Sequence, residues 1–296
     1  MSSPTLTSDD CTQRFLFERT DIRGEIITLA DSYQQVRANN AQAEAELPES
    51  VMQLLGEFMA AVSLLAGTLK FEGTVTLQAR GEGPMPMIMA ESNHHQGLRA
   101  VVQVPDAAAV TAMDEQVFSK LLGDKGLLAI IIQPDKGERY QGIVPLERSS
   151  LAGCLEDYFA QSEQLPTRFW FAVNAEKATG IMLQAMPQQL ADAETNKEHW
   201  RTIEALATTI KDEELLSLSH ETVLYRLFNE EDVRLFEAQT IRFECSCSEE
   251  RCVGTLESLG LEELERILSE QDLIVMDCHF CGQKYQFGPQ QVAQMF

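Results

Sequence analysis

Positive charge is scarce in this chain. Its 296 residues carry 23 Lys and Arg against 46 Asp and Glu, a formal net charge of −23. Nucleic acids and anionic lipid surfaces are bound through clustered cations, so this balance argues against both as partners. Long apolar runs are also missing. The longest, Leu127 to Ile132, falls far short of the about 20 residues that a bilayer-spanning helix needs and predicts a buried strand. Met1 to Thr20 holds no basic stretch followed by an apolar one, so no secretory leader is expected. The expected compartment is the cytoplasm, where clustered thiols signal metal binding or redox chemistry rather than permanent disulfides. Hydrolase, zinc-protease and kinase signatures are absent, and Gly81-Glu82-Gly83-Pro84 is a turn rather than a phosphate loop. The expectation is a protein that catalyses nothing.

The chain does have material for a core, with 44% hydrophobic residues. Residues 1–12 are polar and expected to form a loose tail. Apolar anchors from Arg14 to Asp31 predict strand. A long helix is expected from about Val51 to Leu69, where Leu54, Leu55, Phe58, Val62, Leu65 and Leu69 recur at helical spacing after Pro48. Short β-branched runs then follow at 73–78, 85–89, 98–104, 127–133 and 140–145, separated by turn residues, as antiparallel strands do. A helix at 150–163 and strands at 168–174 and 181–186 complete an α+β domain, 1–187. Residues 188–240 read as an amphipathic helical linker that needs a surface to lie on. From Pro187 to Glu244 the chain carries 13 acidic and 6 basic residues. A small third segment, 241–296, has its own helix at about 261–270, with Leu261, Leu264, Ile267 and Leu268 on one face.

That last segment holds the feature with the most chemistry in it. Cys245 and Cys247 form a C-x-C pair, and Cys278 and Cys281 form a C-x-x-C pair separated from it by 30 residues. Two close pairs on separate turns can converge on one Zn2+ in a tetrahedral thiolate cage; an iron–sulfur cluster is the minor alternative. A segment of about 55 residues has too small a core to fold strongly by itself, so the metal would supply folding free energy. Zinc also holds its ligands as thiolates, the form that oxidants attack. Oxidation of either pair would remove two ligands and release the metal. Cys252, Cys11 and Cys154 lie outside the two pairs; Cys252 is expected to be a spectator and Cys154 a small buried side chain. Neither His279, wedged between two ligands, nor His94-His95 is expected to bind metal.

Together with the stretches Arg139-Tyr-Gln-Gly-Ile-Val-Pro-Leu-Glu147 and Cys154-Leu-Glu-Asp-Tyr-Phe-Ala-Gln-Ser-Glu-Gln-Leu-Pro-Thr-Arg168, these cysteines give the chain its resemblance to the heat shock protein 33 family. The resemblance covers almost the whole chain, with a longer tail before Cys11 and a high acidic charge as its departures. It implies an ATP-independent holdase, inactive while reduced and loaded with one Zn2+ on Cys245, Cys247, Cys278 and Cys281. Oxidation would pair Cys245 with Cys247 and Cys278 with Cys281, expel the zinc and unfold both the zinc segment and the linker. The activated form would dimerise and hold unfolding client proteins. On that reading Trp200, Ile203, Leu224, Leu227 and Phe228 of the linker belong to a switchable client-binding surface.

Two rivals follow from the same residues. A thiol-disulfide oxidoreductase using Cys278 and Cys281 would need a βαβ frame that the surrounding pattern does not show. A nucleic-acid-binding zinc ribbon would need cations, whereas 241–296 has 4 basic and 10 acidic residues, net −6. The C-x-C ring is much tighter than the C-x-x-C ring and more strained. Peptide mapping after brief peroxide exposure is therefore expected to find the Cys278–Cys281 bond before the Cys245–Cys247 bond, and the reverse order would overturn this ranking.

Overall fold

Eighteen residues, Glu49–Ala66, form the helix on which the larger part of the molecule is built (α2). The computed structural model describes residues 9–41, 47–113, 117–123 and 125–296. Of the loose tail expected over 1–12, residues 1–8 lie outside them, and its end is corrected: Asp10 and Thr12 are buried and a strand starts at Cys11. By contact the chain divides into Met1–Phe243 and Glu244–Phe296. Before α2 come strands β1 (Cys11–Phe17) and β2 (Ile22–Leu29) and helix α1 (Asp31–Asn40). After it come β3 (Gly73–Arg80), β4 (Met87–Asn93), β5 (Gly97–Gln103), α3 (Ala107–Thr111), α4 (Phe118–Leu122), β6 (Leu127–Pro134), β7 (Tyr140–Pro145), α5 (Leu151–Tyr158), β8 (Thr167–Val173) and β9 (Ala178–Ala185). Three helices, α6 (Ala193–Ala207), α7 (Asp212–Ser217) and α8 (His220–Phe228), and three short strands, β10 (Val233–Leu235), β11 (Gln239–Thr240) and β12 (Arg242–Phe243), end this unit. The architecture is α+β, without βαβ alternation.

Two sheets enclose α2. One has the order β10-β1-β2-β9-β8, with β11 also on β1; the other runs β12-β5-β4-β3-β6-β7. All pairings are antiparallel except that of β12 with β5. By length and composition α2 could cross a bilayer. Instead 14 of its 18 residues are buried, Leu55, Phe58, Met59 and Val62 completely, because strands flank it on both sides. The helix ends at Ala66 rather than Leu69, and Leu69 packs half-buried at the edge of the core.

Strand period two gives the first sheet two apolar faces. Ile27, Leu29, Phe169, Ala178 and Met182 point into the core with α2. Their alternates Phe15, Phe17, Ile22, Ile26, Ala172, Ile181 and Leu183 form a second cluster with Ile203, Ala207, Leu215, Val223, Leu224, Leu227 and Phe228 of α6–α8. The surface that the amphipathic helices need is thus the outer face of this sheet. The expectation of helix throughout 188–240 is corrected at its end. After Phe228 the backbone extends, and β10 and β11 pair with the open edge of β1, where Val233 and Leu235 also reach the cluster. The expected helix 150–163 is likewise modified: α5 loosens after Tyr158 into a single turn of π-helix, Phe159–Glu163.

Polar contacts fix the two ends of the helical layer. Asp21 accepts hydrogen bonds from the backbone N–H groups of Gln189 (2.9 Å), Leu190 (3.0 Å) and Ala191 (3.3 Å) and from Asn196 Nδ2 (2.8 Å). Burial opposes its ionisation, but these donors outweigh it and hold the carboxyl below the usual range. At the start of α8, buried His220 stands 2.8 Å from Gln13 Oε1 through Nδ1 and 3.0 Å from Thr28 Oγ1 through Nε2. The neutral ring satisfies both, with Nδ1–H donating to Gln13 and Nε2 accepting from Thr28.

Burial lowers the His220 pKa from 6.5 to about 4. A lowered histidine pKa means that the folded state disfavours the proton, so this contribution is complete above pH 6.5 and is lost as pH falls from 6.5 towards 4. At about 1.4 kcal/mol per pH unit, the docking of α8 weakens by about 3 kcal/mol over that window. Hydrogen exchange in α8 is expected to accelerate between pH 6.5 and 4.5 beyond the intrinsic trend, and His220→Gln to flatten that response. An unchanged response in the variant would show that His220 is not the group responsible.

Candidate metal centre

The C-terminal unit, taken by itself, has helices α9 (Glu249–Leu259) and α10 (Leu261–Glu270), a hairpin of β13 (Ile274–Asp277) and β14 (Lys284–Phe287), and helix α11 (Pro289–Ala293). Its core holds five buried apolar side chains, Leu256, Leu264, Ile274, Phe287 and Val292. The helix expected at 261–270 is present; Leu264 is its buried residue, Ile267 and Leu268 are partly buried, and Leu261 faces solvent at 39% exposure. So small a core is marginal on its own.

Local structure brings the cysteines together. Cys245 and Cys247 lie on irregular chain just before α9, whose N-cap Ser248 accepts a hydrogen bond from Arg251 N–H. Cys278 and Cys281 lie on the turn of the β13–β14 hairpin. Cys278 N–H donates to Gln283 O (2.9 Å) and Gly282 N–H to Cys278 O (2.8 Å). Gly282 has φ +71°, a conformation that side chains rarely tolerate, so glycine after the second cysteine lets the turn close.

All four Sγ atoms lie within 4.8 Å of one another. Contacts run across the two pairs, with Cys245 Sγ 3.6 Å from Cys278 Sγ and Cys247 Sγ 3.4 Å from Cys281 Sγ. A tetrahedron of thiolates with metal–sulfur bonds of about 2.3 Å has edges of about 3.8 Å. The four residues therefore fit one metal ion, and could hold it with no fifth ligand. Cys252 sits outside the cluster, half-buried against the small core, and His279 is exposed. Cys154 is buried in the core of the larger unit, Cys11 lies on β1, and His94 and His95 sit in the β4–β5 turn, where the backbone N–H of Gly73 donates to His94 Nδ1 at 3.1 Å.

The thiols perturb one another. Burial opposes ionisation of Cys247, but the Tyr285 hydroxyl, which donates to its Sγ at 3.2 Å, and the thiols of Cys281, Cys245 and Cys278 lower it to about 7. Burial and the adjacent thiols push Cys281 above the ordinary thiol range, and burial raises Cys245. Once one thiolate forms, the next must ionise beside it, and a divalent cation relieves that repulsion. Tyr285 is a site residue that the cysteine spacing alone does not reveal; its signal is its place on β14, where Tyr285 pairs with Met276, two residues before Cys278. The linker residues Ile203, Leu224, Leu227 and Phe228 are buried and Trp200 half-buried against the first sheet of the larger unit.

Comparison with known proteins bears on the whole chain. The family described as Hsp33 protein matches residues 10–288. A 33 kDa chaperonin of Azotobacter vinelandii is 46% identical over 97% of this chain and 94% of its own length. Another, from Pseudomonas aeruginosa, is 46% identical over 98% of this chain and 96% of its own. In structure the chain is similar to the crystal structure of the 33 kDa chaperonin (heat shock protein 33 homolog) of Thermotoga maritima, with a TM-score of 0.80, 22% identity and 97% of both chains covered. With the match running from the first strand to the end of the small hairpin, the chain belongs to the Hsp33 protein family.

Proposed function

We propose that this chain is a redox-regulated, ATP-independent holdase that binds unfolding proteins. Family membership and the cysteine cluster support a chaperone; the convergence of four Sγ atoms within 4.8 Å is the observation that carries the regulated form. Reduced, Cys245, Cys247, Cys278 and Cys281 hold one Zn2+, which supplies the folding free energy that the five-residue core lacks. Oxidation forms the Cys245–Cys247 and Cys278–Cys281 disulfides, removes all four ligands and unfolds 244–296. The chain then frees the 188–240 linker. Lifting α6–α8 uncovers Phe15, Phe17, Ile22 and Ile26 on the sheet together with Ile203, Leu224, Leu227 and Phe228 on the helices. An apolar surface of that kind binds unfolded chains. The active form is a homodimer working in the cytoplasm, with neither nucleic acid nor membrane as partner.

The packing of α6–α8 also argues for a second stimulus. Each fully buried Leu, Ile or Phe contributes about 1.5–3 kcal/mol, so the helical layer has stability of its own and heat assists its release. The thiol-disulfide oxidoreductase reading gains no such support from the linker.

Light scattering of a thermally unfolding client without ATP tests the proposal, with zinc followed in the same cuvette. Suppression is expected only after peroxide treatment and with one equivalent of zinc released; a chelator should remove the same metal and unfold 244–296 while leaving the core of the larger unit, before the linker, folded. Equal suppression by the reduced protein would replace the switch with a constitutive holdase, and suppression in neither state would discard the chaperone.

Phe228 stacks edge-on against Phe17 at 5.1 Å and leans on Phe15 at 6.3 Å. Phe228→Ala is expected to weaken linker docking by about 3–5 kcal/mol. Reduced protein carrying it should show faster hydrogen exchange across 190–240 and partial client holding without oxidant. Slow exchange in the variant would place the switch elsewhere.

A further inference from the structure

The stretches Arg139–Glu147 and Cys154–Arg168 take no part in the thiol chemistry, yet they meet in space. Gly142 of β7 lies so close to α5 that a Cβ there would collide with the Tyr158 ring. The Tyr158 hydroxyl donates to Glu163 Oε1 at 3.2 Å and lies 3.0 Å from Tyr140 Oη. The π-turn Phe159–Glu163 follows and is closed by Gln164 in the left-handed region, φ +55°. Single π-turns and left-handed residues other than glycine both concentrate at functional sites.

These residues border a cavity of about 180 Å3 between the two sheets. Its apolar walls include Leu65 of α2, Val75 of β3, Ile130 of β6 and Met182 of β9, with Phe159 of the π-turn and Leu165 just after it. A cavity of about 150 Å3 with walls of that kind admits benzene. Two side chains of opposite charge, Arg23 and Glu163, face it as well. Arg23 directs Nε (3.1 Å) and Nη2 (2.6 Å) to the same neutral acceptor, Gln184 Oε1, and forms no ion pair among the described residues. Burial and the neighbouring Arg14 cation work against its charge, and the Glu25 carboxylate offsets them only in part. Glu163 is exposed on its outer side, with the Tyr158 hydroxyl as its hydrogen-bond donor.

We propose that this cavity binds a free apolar α-amino acid of about the size of leucine or methionine, with its carboxylate on Arg23, its ammonium on Glu163 and its side chain against Leu65, Val75, Ile130 and Met182. The charges decide the class. A fatty acid would set its carboxylate in a cavity that Glu163 already makes negative on one side, and an alkylamine would set its cation beside Arg23. A zwitterion pairs with both, and its apolar part fills the remaining volume. Bound there, it ties β2 and β9 of one sheet to β3 and β6 of the other through the π-turn, so it stabilises the folded larger unit by mass action.

Titration calorimetry and thermal unfolding of the reduced, metal-loaded full chain test this, with L-leucine and L-methionine as probes and hexanoate and hexylamine as single-charge controls. Saturable 1:1 binding and a rise in melting temperature are expected for the amino acids. Affinity for each control should be weaker by about tenfold or more, since each leaves one charge without its partner. Arg23→Gln and Glu163→Gln should each weaken leucine binding by a similar factor, and Glu163→Gln should improve hexanoate binding. Because Glu163 is exposed, its replacement keeps the fold and the test stands even if Arg23→Gln does not fold. Absence of saturable heat up to about 20 mM amino acid, well above the millimolar range of weak small ligands, would overturn the proposal. So would hexanoate binding as tightly as leucine, or leucine binding unaffected by Glu163→Gln.

Discussion

A sheet with apolar side chains on both faces cannot leave one of them in water, and the sheet β10-β1-β2-β9-β8 is of that kind. Its inner face is satisfied by α2. Its outer face is satisfied by helices that come late in the chain, after the second strand of the β8–β9 hairpin and before the cysteine-bearing unit. The helices depend on the sheet in turn, since α6 and α8 have polar outer faces and buried residues along one stripe only. Layer and sheet therefore hide each other's apolar surface, and neither has another place to put it within the larger unit.

The smaller unit rests on a different balance. Five buried apolar residues and a four-residue-per-strand hairpin give it little cohesion. Its remaining interactions are short-range and exposed, such as the Arg266 pairs with Glu263 and Glu270, which contribute little in water. Four thiols at the mouth of the hairpin concentrate the rest of its potential stability in one place. A cation bridging the sulfurs would supply the cohesion that the core lacks, and thiolates held that way are the groups that an oxidant attacks.

The parts of this architecture visible in the sequence are those written in a regular period. The apolar repeat of α2 and the alternation in β3 to β9 are strong, and the paired cysteines announce their own convergence. Helix α1 was illegible because its inner side is largely polar. Asn40 donates from Nδ2 to Ala100 O (3.3 Å) and accepts from Val102 N–H (3.1 Å), so it satisfies the open edge of β5 in place of apolar packing. Helix α9 has a single fully buried residue, Leu256, and no stripe to detect. Strands β10 to β12 are two or three residues long and owe their conformation to edges more than a hundred residues away in the chain. Within the thiol cluster, spacing gave the membership but not the neighbours: contacts at 3.4 and 3.6 Å run across the pairs, and the tyrosine that touches Cys247 lies on β14.

The two ends of the linker are fastened by unlike means. At its beginning, the Asp21 carboxylate grips three successive backbone N–H groups and Asn196, a charged acceptor with four donors. At its far end stand two-residue ladders, β11 on β1 and β12 on β5. Tension applied at Glu244 meets those ladders first, one bond pair at a time, and meets Asp21 last. If the linker is released as proposed, it would open like a zip with its stop at residue 189 and its slider at residue 243, β12 before β10 and β10 before α8, and α6 would stay in place to guide a partly opened molecule home.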